Sequence, residues 1–132
     1  MFDRASAAVT VLMANHSFET IDHGTYRVVI VRGAVDLGNA KELADVLESA
    51  IIGAPIVVDL SACSYLDSTG LSIFVRHERM RRRRTAIVAP PGNRPLHLLE
   101  ITGLALTLAV VPTLDAGIAF CGEPITDTAA AV

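Results

Sequence analysis

The chain has 132 residues, the usual size of one domain, and its 52% hydrophobic and 19% charged residues exclude an intrinsically disordered protein. A formal net charge of −3 gives no overall signal for nucleic-acid binding. Tryptophan is absent and aromatic residues make up only 5%, so the core must consist of aliphatic side chains, as in proteins with buried parallel strands. We therefore expect one compact α/β domain.

The N-terminal part of the chain predicts a hairpin followed by an amphipathic helix. Two apolar runs, Val9–Met13 and Tyr26–Val31, are typical of strands, and the polar stretch Glu19–Thr25 between them predicts the turn of an antiparallel hairpin. From Leu37 the apolar period becomes helical, and Gly53 with a following proline ends this helix. The residues of its apolar stripe are Leu43, Val46, Leu47, Ala50 and Ile51.

The rest of the chain alternates between strand and helix. The β-branched run Ile56–Leu60 predicts a buried central strand, and a loop at Cys63–Leu66 leads from it to a turn at Asp67–Gly70. The later elements, in chain order, are a helix at Leu71–Arg83, a strand at Thr85–Val88, a helix at Pro95–Ile101, a strand at Leu106–Val111 and a helix capped by Thr113. This alternation predicts a small mixed, largely parallel β-sheet with helices packed against it. We place the domain at 9–122, with a flexible arm at 1–8 and a flexible tail at 123–132.

The turn Asp67-Ser68-Thr69-Gly70 lies where functional groups collect in open α/β sheets, between the end of a strand and the start of a helix. Asp67 or Ser68 would occupy the N-cap of that helix, where a side-chain oxygen accepts hydrogen bonds from free backbone N–H groups. The positive end of the helix dipole also suits a phosphate. Local chemistry alone does not distinguish a plain cap from a phosphorylatable surface.

The segment Val57–Leu71, which contains this turn, resembles the signature of bacterial anti-sigma factor antagonists of the STAS fold. Two further stretches are similar to the family's motifs: Gly33–Asp36 before the first helix, and Leu98–Leu104 at the short third helix and its exit. The likeness extends from about Val9 to Gly122. In that family the serine directly after the Asp of the turn carries the regulatory phosphate, which implies that Ser68 is the phosphorylated residue.

The resemblance implies a binding module and not an enzyme. While unphosphorylated, the protein would bind an anti-sigma factor that is itself a serine kinase, and would thereby release a sigma factor. Phosphorylation of Ser68 would end this binding, and a phosphatase would restore it. ATP would belong to the kinase, so no cofactor is expected here, and the apolar composition leaves room for a homodimer. The expected partner-binding residues are Asp36, Asp67, Ser68, Thr69, Gly70 and Leu71.

Two features depart from the family pattern. Ala34 replaces a usual Glu, which removes a charge near the expected binding face. The run Arg81–Arg84 stands where the family often has a pair of glycines. We interpret this run as the solvated end of the predicted helix Leu71–Arg83, whose dipole it complements, with contact to an acidic partner or a membrane surface as the rival interpretation.

Other functional classes receive less support from the sequence. No metal site is expected, because the two cysteines lie 58 positions apart and the histidines have no ligand spacing. A hydrolase is disfavoured because Gly-x-Ser-x-Gly is absent, and Lys41, the only lysine, is not part of a phosphate-binding loop. No secretory pattern and no apolar run near ~18 residues is present, so we expect a cytoplasmic protein without a membrane span.

Two alternative functions stay open at this point. One is a STAS scaffold or transporter-associated module that is never phosphorylated. The other is a thiol-based redox regulator in which Cys63 and Cys121 form a disulfide, which requires their Cα atoms to lie within about 7 Å of each other.

Overall fold

A computed structural model describes residues 8–13, 16–80 and 84–122 of the chain. Those residues form one seven-stranded sheet and four α-helices. The strands are β1 (Ala8–Met13), β2 (His16–Asp22), β3 (Arg27–Val35), β4 (Ile56–Asp59), β5 (Cys63–Leu66), β6 (Thr85–Val88) and β7 (Ala109–Val111). The helices are α1 (Ala40–Ala50), α2 (Ser68–Met80), α3 (Arg94–Ile101) and α4 (Leu114–Gly122), with a short 3₁₀ turn at Leu104–Leu106.

The sheet has the order β1-β2-β3-β4-β6-β7, with β5 beside the end of β3. β1 pairs with β2, and β2 with β3, in antiparallel orientation. The pairs β3–β4, β3–β5, β4–β6 and β6–β7 are parallel. β3 therefore pairs with two strands in succession: its first residues, Arg27–Ile30, pair with β4, and its last, Gly33–Val35, pair with β5. The predicted α/β class with a mixed, largely parallel sheet is confirmed.

The predicted N-terminal hairpin is wrong in its pairing. A strand that the sequence analysis missed, β2, lies between the two predicted strands and pairs with both of them, so β1 and β3 do not meet. Glu19–Asp22, assigned to a polar turn, belongs to this strand, and the true turn is confined to the residues around Gly24. The polar residue Glu19 of β2 has a partner on the neighbouring strand, because its carboxylate forms an ion pair with Arg32 of β3 at 3.1 Å.

The segment Cys63–Leu66 is a strand and not the predicted loop. Cys63 and Leu66 are buried while Ser64 and Tyr65 between them are exposed, a pattern without the usual period of two. The reason is a register shift in the pairing with β3 between Gly33 and Ala34, which leaves one residue of β5 without a partner. A four-residue strand with a bulge has no clear signal in the sequence.

Several predicted boundaries also shift. The predicted strand Leu106–Val111 consists of the end of the 3₁₀ turn and then β7, and Leu106 is 91% exposed. α2 begins earlier than predicted, at Ser68, and is described as far as Met80. The expected arm and tail lie outside the described residues, as do Arg81–Arg83, except that Ala8 is the first residue of β1.

The core has two parts, one on each side of the sheet. Successive strand residues point to opposite faces, so Val57 and Val58 of β4 belong to different clusters. The larger cluster packs beneath α1, α2 and α3 and contains Phe18, Leu43 and Phe74. The smaller one lies beneath α4.

The side chain of Arg27, the first residue of β3, holds the C-terminal end of α1. Its Nη1 donates hydrogen bonds to the carbonyl oxygens of Ala50, at 2.7 Å, and of Ile52. The Ala50 carbonyl is one of those that a helix end leaves without an intrahelical partner, and Ile52 lies two residues beyond the end of α1. The Arg27 Nε also lies 3.4 Å from a carboxylate oxygen of Asp22. One guanidinium thus joins the start of β3, the end of β2 and the end of α1.

We expect Arg27→Met to lower the free energy of unfolding by about 1–3 kcal/mol, because charge-assisted hydrogen bonds to two backbone carbonyls, at the end of α1 and just beyond it, are lost. Urea unfolding followed by circular dichroism measures this change. Arg32→Met is the matched control: Arg32 is 48% exposed, and among the described residues its ion pair is with Glu19 at the surface, so the loss is expected to stay below about 1 kcal/mol. Equal losses in the two variants would contradict the assigned role of Arg27.

Candidate functional site

The turn Asp67–Gly70 connects β5 to α2 at the carboxyl end of the parallel strands. Its position is fixed by β3, because the backbone N–H of Asp67 donates to the carbonyl oxygen of Val35 at 3.2 Å. The preceding residue, Leu66, is the register partner of Val35. The turn is therefore a direct continuation of the β3–β5 ladder, at the edge of the sheet where α/β proteins place their functional groups.

Asp67 is the N-cap of α2. Its Oδ1 accepts a hydrogen bond from the backbone N–H of Gly70 at 2.9 Å, and its carbonyl oxygen accepts one from Leu71 at 2.8 Å. Of the two candidates that the sequence offered for the cap, Asp67 fills the position. Ser68 therefore does not serve as the cap of α2.

Ser68 is the first residue of α2 and is exposed to solvent. Its hydroxyl has no hydrogen-bond partner within the described residues. Thr69 next to it is half-buried, and its carbonyl oxygen accepts a hydrogen bond from the Ser72 hydroxyl at 2.7 Å. Of the two adjacent hydroxyl residues in the turn, Ser68 is thus the more accessible.

Gly70 is required where α2 packs closely on the β3–β5 ladder. A Cβ at this position would lie 2.6 Å from Leu66 Cδ1 and 2.8 Å from Val35 Cγ1. The absence of a side chain therefore lets the first turn of α2 approach the sheet. Leu71, which follows, is half-buried against the main core, so only part of its side chain is available to a partner.

The loop between β3 and α1 lies beside this turn and is itself tightly built. Asp36 Oδ1 accepts from the N–H of Gly38 at 2.9 Å, and Asn39 Oδ1 accepts from the N–H of Asp36 at 3.0 Å. The Asn39 amide also donates to the carbonyl oxygen of Ala34 at 2.8 Å. Asn39 is buried, and Leu37 at the tip of the loop is 78% exposed. We name this segment, Asp36–Asn39, the Asp36 loop.

The structure thus brings the six sequence-predicted site residues to one edge of the sheet, through the pairing of Val35 with Leu66. Leu37 and Asn39 of the Asp36 loop were not among the residues predicted from the sequence. The tetrapeptide Asp-Leu-Gly-Asn is typical of turns, and this signal identifies the loop but not the exposed leucine at its tip.

The aspartates that could suggest a metal site each serve their own turn. Asp59 Oδ1 accepts from the N–H of Ser61 at 2.9 Å, as Asp36 and Asp67 accept from Gly38 and Gly70. In the part of the chain that the structure describes, no group of three or more His, Cys, Asp or Glu could hold a metal ion. None of the described helices is long and apolar enough to cross a membrane.

The family of this chain is shown by its similarity to known proteins. The family model described as the STAS domain matches residues 17–117. The chain belongs to the STAS domain family. A relative in Listeria monocytogenes named "Anti-sigma-B factor antagonist" is 34% identical over 96 residues, which cover 69% of this chain and 84% of the relative. The protein of the same name in Listeria innocua matches with the same figures.

Solved structures agree with this membership. The crystal structure of an anti-sigma factor antagonist from Mycobacterium paratuberculosis superposes with a TM-score of 0.74 at 25% identity, covering 92% of this chain and all of that one. The unphosphorylated form of the anti-sigma factor antagonist SpoIIAA has a TM-score of 0.52 at 13% identity, over 83% of this chain and 92% of that one, and shows the shared fold alone. The resemblance found in the sequence is confirmed.

The two cysteines of this STAS domain are buried and far apart. Cys63 faces the main core, whereas the Cys121 thiol lies in the smaller cluster, 3.4 Å from the carbonyl oxygen of Ile56. Cys63 pairs with Gly33 of β3, whereas Ile56, which the Cys121 thiol contacts, pairs with Arg27 of the same strand. Arg27 and Gly33 are six residues apart, so the two cysteines lie near points of β3 that are separated by about 20 Å. A disulfide between them does not fit this fold, because its Cα atoms must lie within about 7 Å.

Of the run Arg81–Arg84, the structure describes Arg84 alone. Arg84 lies immediately before β6, with its guanidinium carbon 4.9 Å from the centre of the Phe120 ring of α4. Arg84 therefore packs on α4 and is half-buried, which differs from the solvated helix end that we predicted for the run.

We expect Gly70→Ala to lower the free energy of unfolding by about 1–2 kcal/mol. Overpacking costs about 1–3 kcal/mol, and the better helix propensity of alanine returns at most about 1 kcal/mol. The cost is set by Val35, whose β-branched side chain is held in a strand and has little freedom to move away. Gly122→Ala in α4 is the matched control, since its Cβ would meet no atom within 4 Å, and it is expected to cause no loss. Thermal unfolding of both variants tests this, and a stable Gly70→Ala would refute the close packing.

We expect both thiols to react slowly with iodoacetamide in the native protein at pH 8, at least about tenfold more slowly than in urea. Burial raises the pKa of the Cys63 thiol, and a backbone hydrogen bond at Tyr65 opposes the shift. Burial also raises the pKa of Cys121, opposed by the charge of Arg84 and a backbone hydrogen bond at Ala86. Fewer thiolates therefore form at a given pH, and the native labelling rate should rise at a higher pH than for an exposed thiol. Fast native labelling in intact-mass spectra would contradict this.

Proposed function

We propose that this STAS domain is an anti-sigma factor antagonist that is switched by phosphorylation of Ser68. In its unphosphorylated form it binds an anti-sigma factor through the Asp36 loop and the turn at Asp67–Leu71, and so frees a sigma factor. It acts as a binding module without catalysis of its own, and it functions in the cytoplasm, where sigma factors act. The proposal is supported by the two relatives in Listeria and by the similar structure from Mycobacterium paratuberculosis, all of which are named as anti-sigma factor antagonists.

The observation that carries the proposal is the division of roles between Asp67 and Ser68. Asp67 supplies the cap of α2 through its bond to Gly70 N–H, so the helix does not depend on the Ser68 hydroxyl. Ser68 is exposed at the first helical position, where a kinase can reach it. A residue of purely structural value at this point would be expected to use its hydroxyl in the helix start, as Asp67 uses its carboxylate.

The phosphoryl group would act through charge. It adds about −1.5 to −2 charges at neutral pH, and the helix N-terminus tolerates these because its dipole is positive there. The carboxylates of Asp36 and Asp67 already make this edge of the sheet acidic. A partner surface shaped for a neutral hydroxyl must then accept and desolvate a dianion, which weakens the complex while the fold is kept.

The chemistry is divided between two partners. The anti-sigma factor, acting as a serine kinase, transfers the γ-phosphoryl group of ATP to Ser68 Oγ, with the hydroxyl proton passing to a base of the kinase and ADP leaving. A phosphatase hydrolyses the ester with water, which yields inorganic phosphate and the original hydroxyl. Neither step requires a cofactor held by the STAS domain.

We expect purified anti-sigma factor kinases of the source organism, incubated one at a time with ATP, to include one that adds a single phosphoryl group to the protein. Mass spectrometry maps the site, and the modification should be lost in Ser68→Ala. Ser64→Ala and Ser72→Ala are matched controls, because Ser64 and Ser72 are exposed serines on either side of the turn and should leave the reaction unchanged. Modification that persists in Ser68→Ala would overturn the assignment.

The substitution Ser68→Asp tests the switch itself. We expect it to weaken binding of the same anti-sigma factor at least about tenfold, since a charge enters the interface. Thermal stability should change by no more than about 2 °C, because the cap at Asp67 is untouched. Large unfolding of this variant would instead favour a structural role for Ser68.

A further inference from the structure

Leu37 combines strong exposure with a fixed backbone. It is 78% exposed, although Val35 before it is fully buried and Asn39 and Ala40 after it are almost so. The N–H groups of Asn39 and Ala40 both donate to the carbonyl oxygen of Asp36, at 3.1 and 2.9 Å, which closes a turn with Leu37 as its second residue. A single exposed leucine is ordinary on a protein surface. Leu37 differs from such a residue because the loop that holds it in solvent is fixed by buried residues before and after it.

Side chains in the Asp36 loop reinforce this turn. The Asp36 carboxylate binds Gly38 N–H, and the buried Asn39 amide joins Asp36 N–H to the carbonyl oxygen of Ala34. The backbone that presents Leu37 is therefore ordered before any partner arrives. Because the backbone of this loop is already ordered, a partner that binds Leu37 does not have to order the loop, and this preorganisation lowers the entropic cost of binding.

Leu37 also lies at the proposed switch. It stands two residues beyond Val35 on β3, and Ser68 stands two residues beyond Leu66 on β5, where Val35 and Leu66 are register partners. The hydrogen bond from Asp67 N–H to the carbonyl oxygen of Val35 joins the start of the Asp67–Gly70 turn to the residue just before the Asp36 loop. A partner that covers Ser68 therefore meets Leu37 at the same edge of the sheet.

We propose that Leu37 is the apolar anchor of the interface with the anti-sigma factor, and that this partner has an apolar pocket next to the place where it meets Ser68. The inference rests on the proposed function and adds the chemistry of the partner surface. The leucine supplies affinity and orientation, and Ser68 supplies the switch. Phosphorylation then acts on a complex whose geometry Leu37 has already fixed.

The test uses the full chain and the purified anti-sigma factor that phosphorylates it, with binding followed by biolayer interferometry. We expect Leu37→Ala to raise Kd at least about tenfold, mainly through faster dissociation, as for loss of an apolar contact. The loss should persist at high salt, unlike that of a surface charge. Leu37→Met, which keeps the side-chain volume, should bind within about threefold of the wild type.

Ile52→Ala is the matched control. Ile52 is a 70% exposed aliphatic residue just past the other end of α1, held near the start of β3 by Arg27 and so about 25 Å from the Asp36 loop. It should bind within about twofold of the wild type. Thermal unfolding of Leu37→Ala should match that of the wild type, because the side chain has few contacts in the folded chain.

The outcomes separate the two proposals. If the wild type is bound and phosphorylated but Leu37→Ala binds equally well, the anchor is refuted and the proposed function stands. If Leu37→Met loses as much affinity as Leu37→Ala, or if Leu37→Ala lowers the unfolding temperature markedly, the effect arises from the loop conformation and the anchor is likewise refuted. If no anti-sigma factor binds the wild type, both proposals fall.

Discussion

The last three residues of β3 pair with β5 in a short parallel ladder, and the geometry of the candidate site follows from that pairing. Val35 is the central residue: it is the register partner of Leu66, its carbonyl oxygen accepts the Asp67 N–H, and its side chain packs where Gly70 has none. Without this ladder, the Asp36 loop and the Asp67 turn would be two unrelated surface loops. With it, they form one surface on a rigid support.

β3 can take this role because it changes partners along its length. Its first half pairs with β4. Its last residues pair with β5, in a register that shifts at a bulge after Gly33. Arg27 fixes the other end of the strand to the end of α1. The helix that follows the Asp36 loop is thus held at both ends by the same strand, which limits how far the loop can move relative to α2.

Elements of the fold and of the candidate site could be predicted from the sequence where neighbouring residues determine them. A cap at Asp67 or Ser68 and the helix after it follow from neighbouring residues, and both were predicted. β2 was missed because Phe18 and Ile21 are its only large apolar residues and its polar ones resemble a turn. β5 was missed because a four-residue strand with a bulge has no period to detect.

The contact between the Asp36 loop and the turn comes from pairing between positions about 30 residues apart, which no local pattern contains. The sequence connected them only through the family resemblance. Even that resemblance did not identify Leu37, because exposure depends on the hydrogen bonds of the folded loop, above all on the buried amide of Asn39.

The separation of the cap from the exposed serine has a consequence for turnover in the cell. Proteases act on unfolded chains, so a modification that lowers stability also lowers abundance. α2 is capped by Asp67 and not by Ser68. In the proposed switch, a phosphate on Ser68 would therefore alter binding without shortening the lifetime of the protein. The signal would then reside in the fraction of molecules modified, at a constant total, and could be reversed without new protein synthesis.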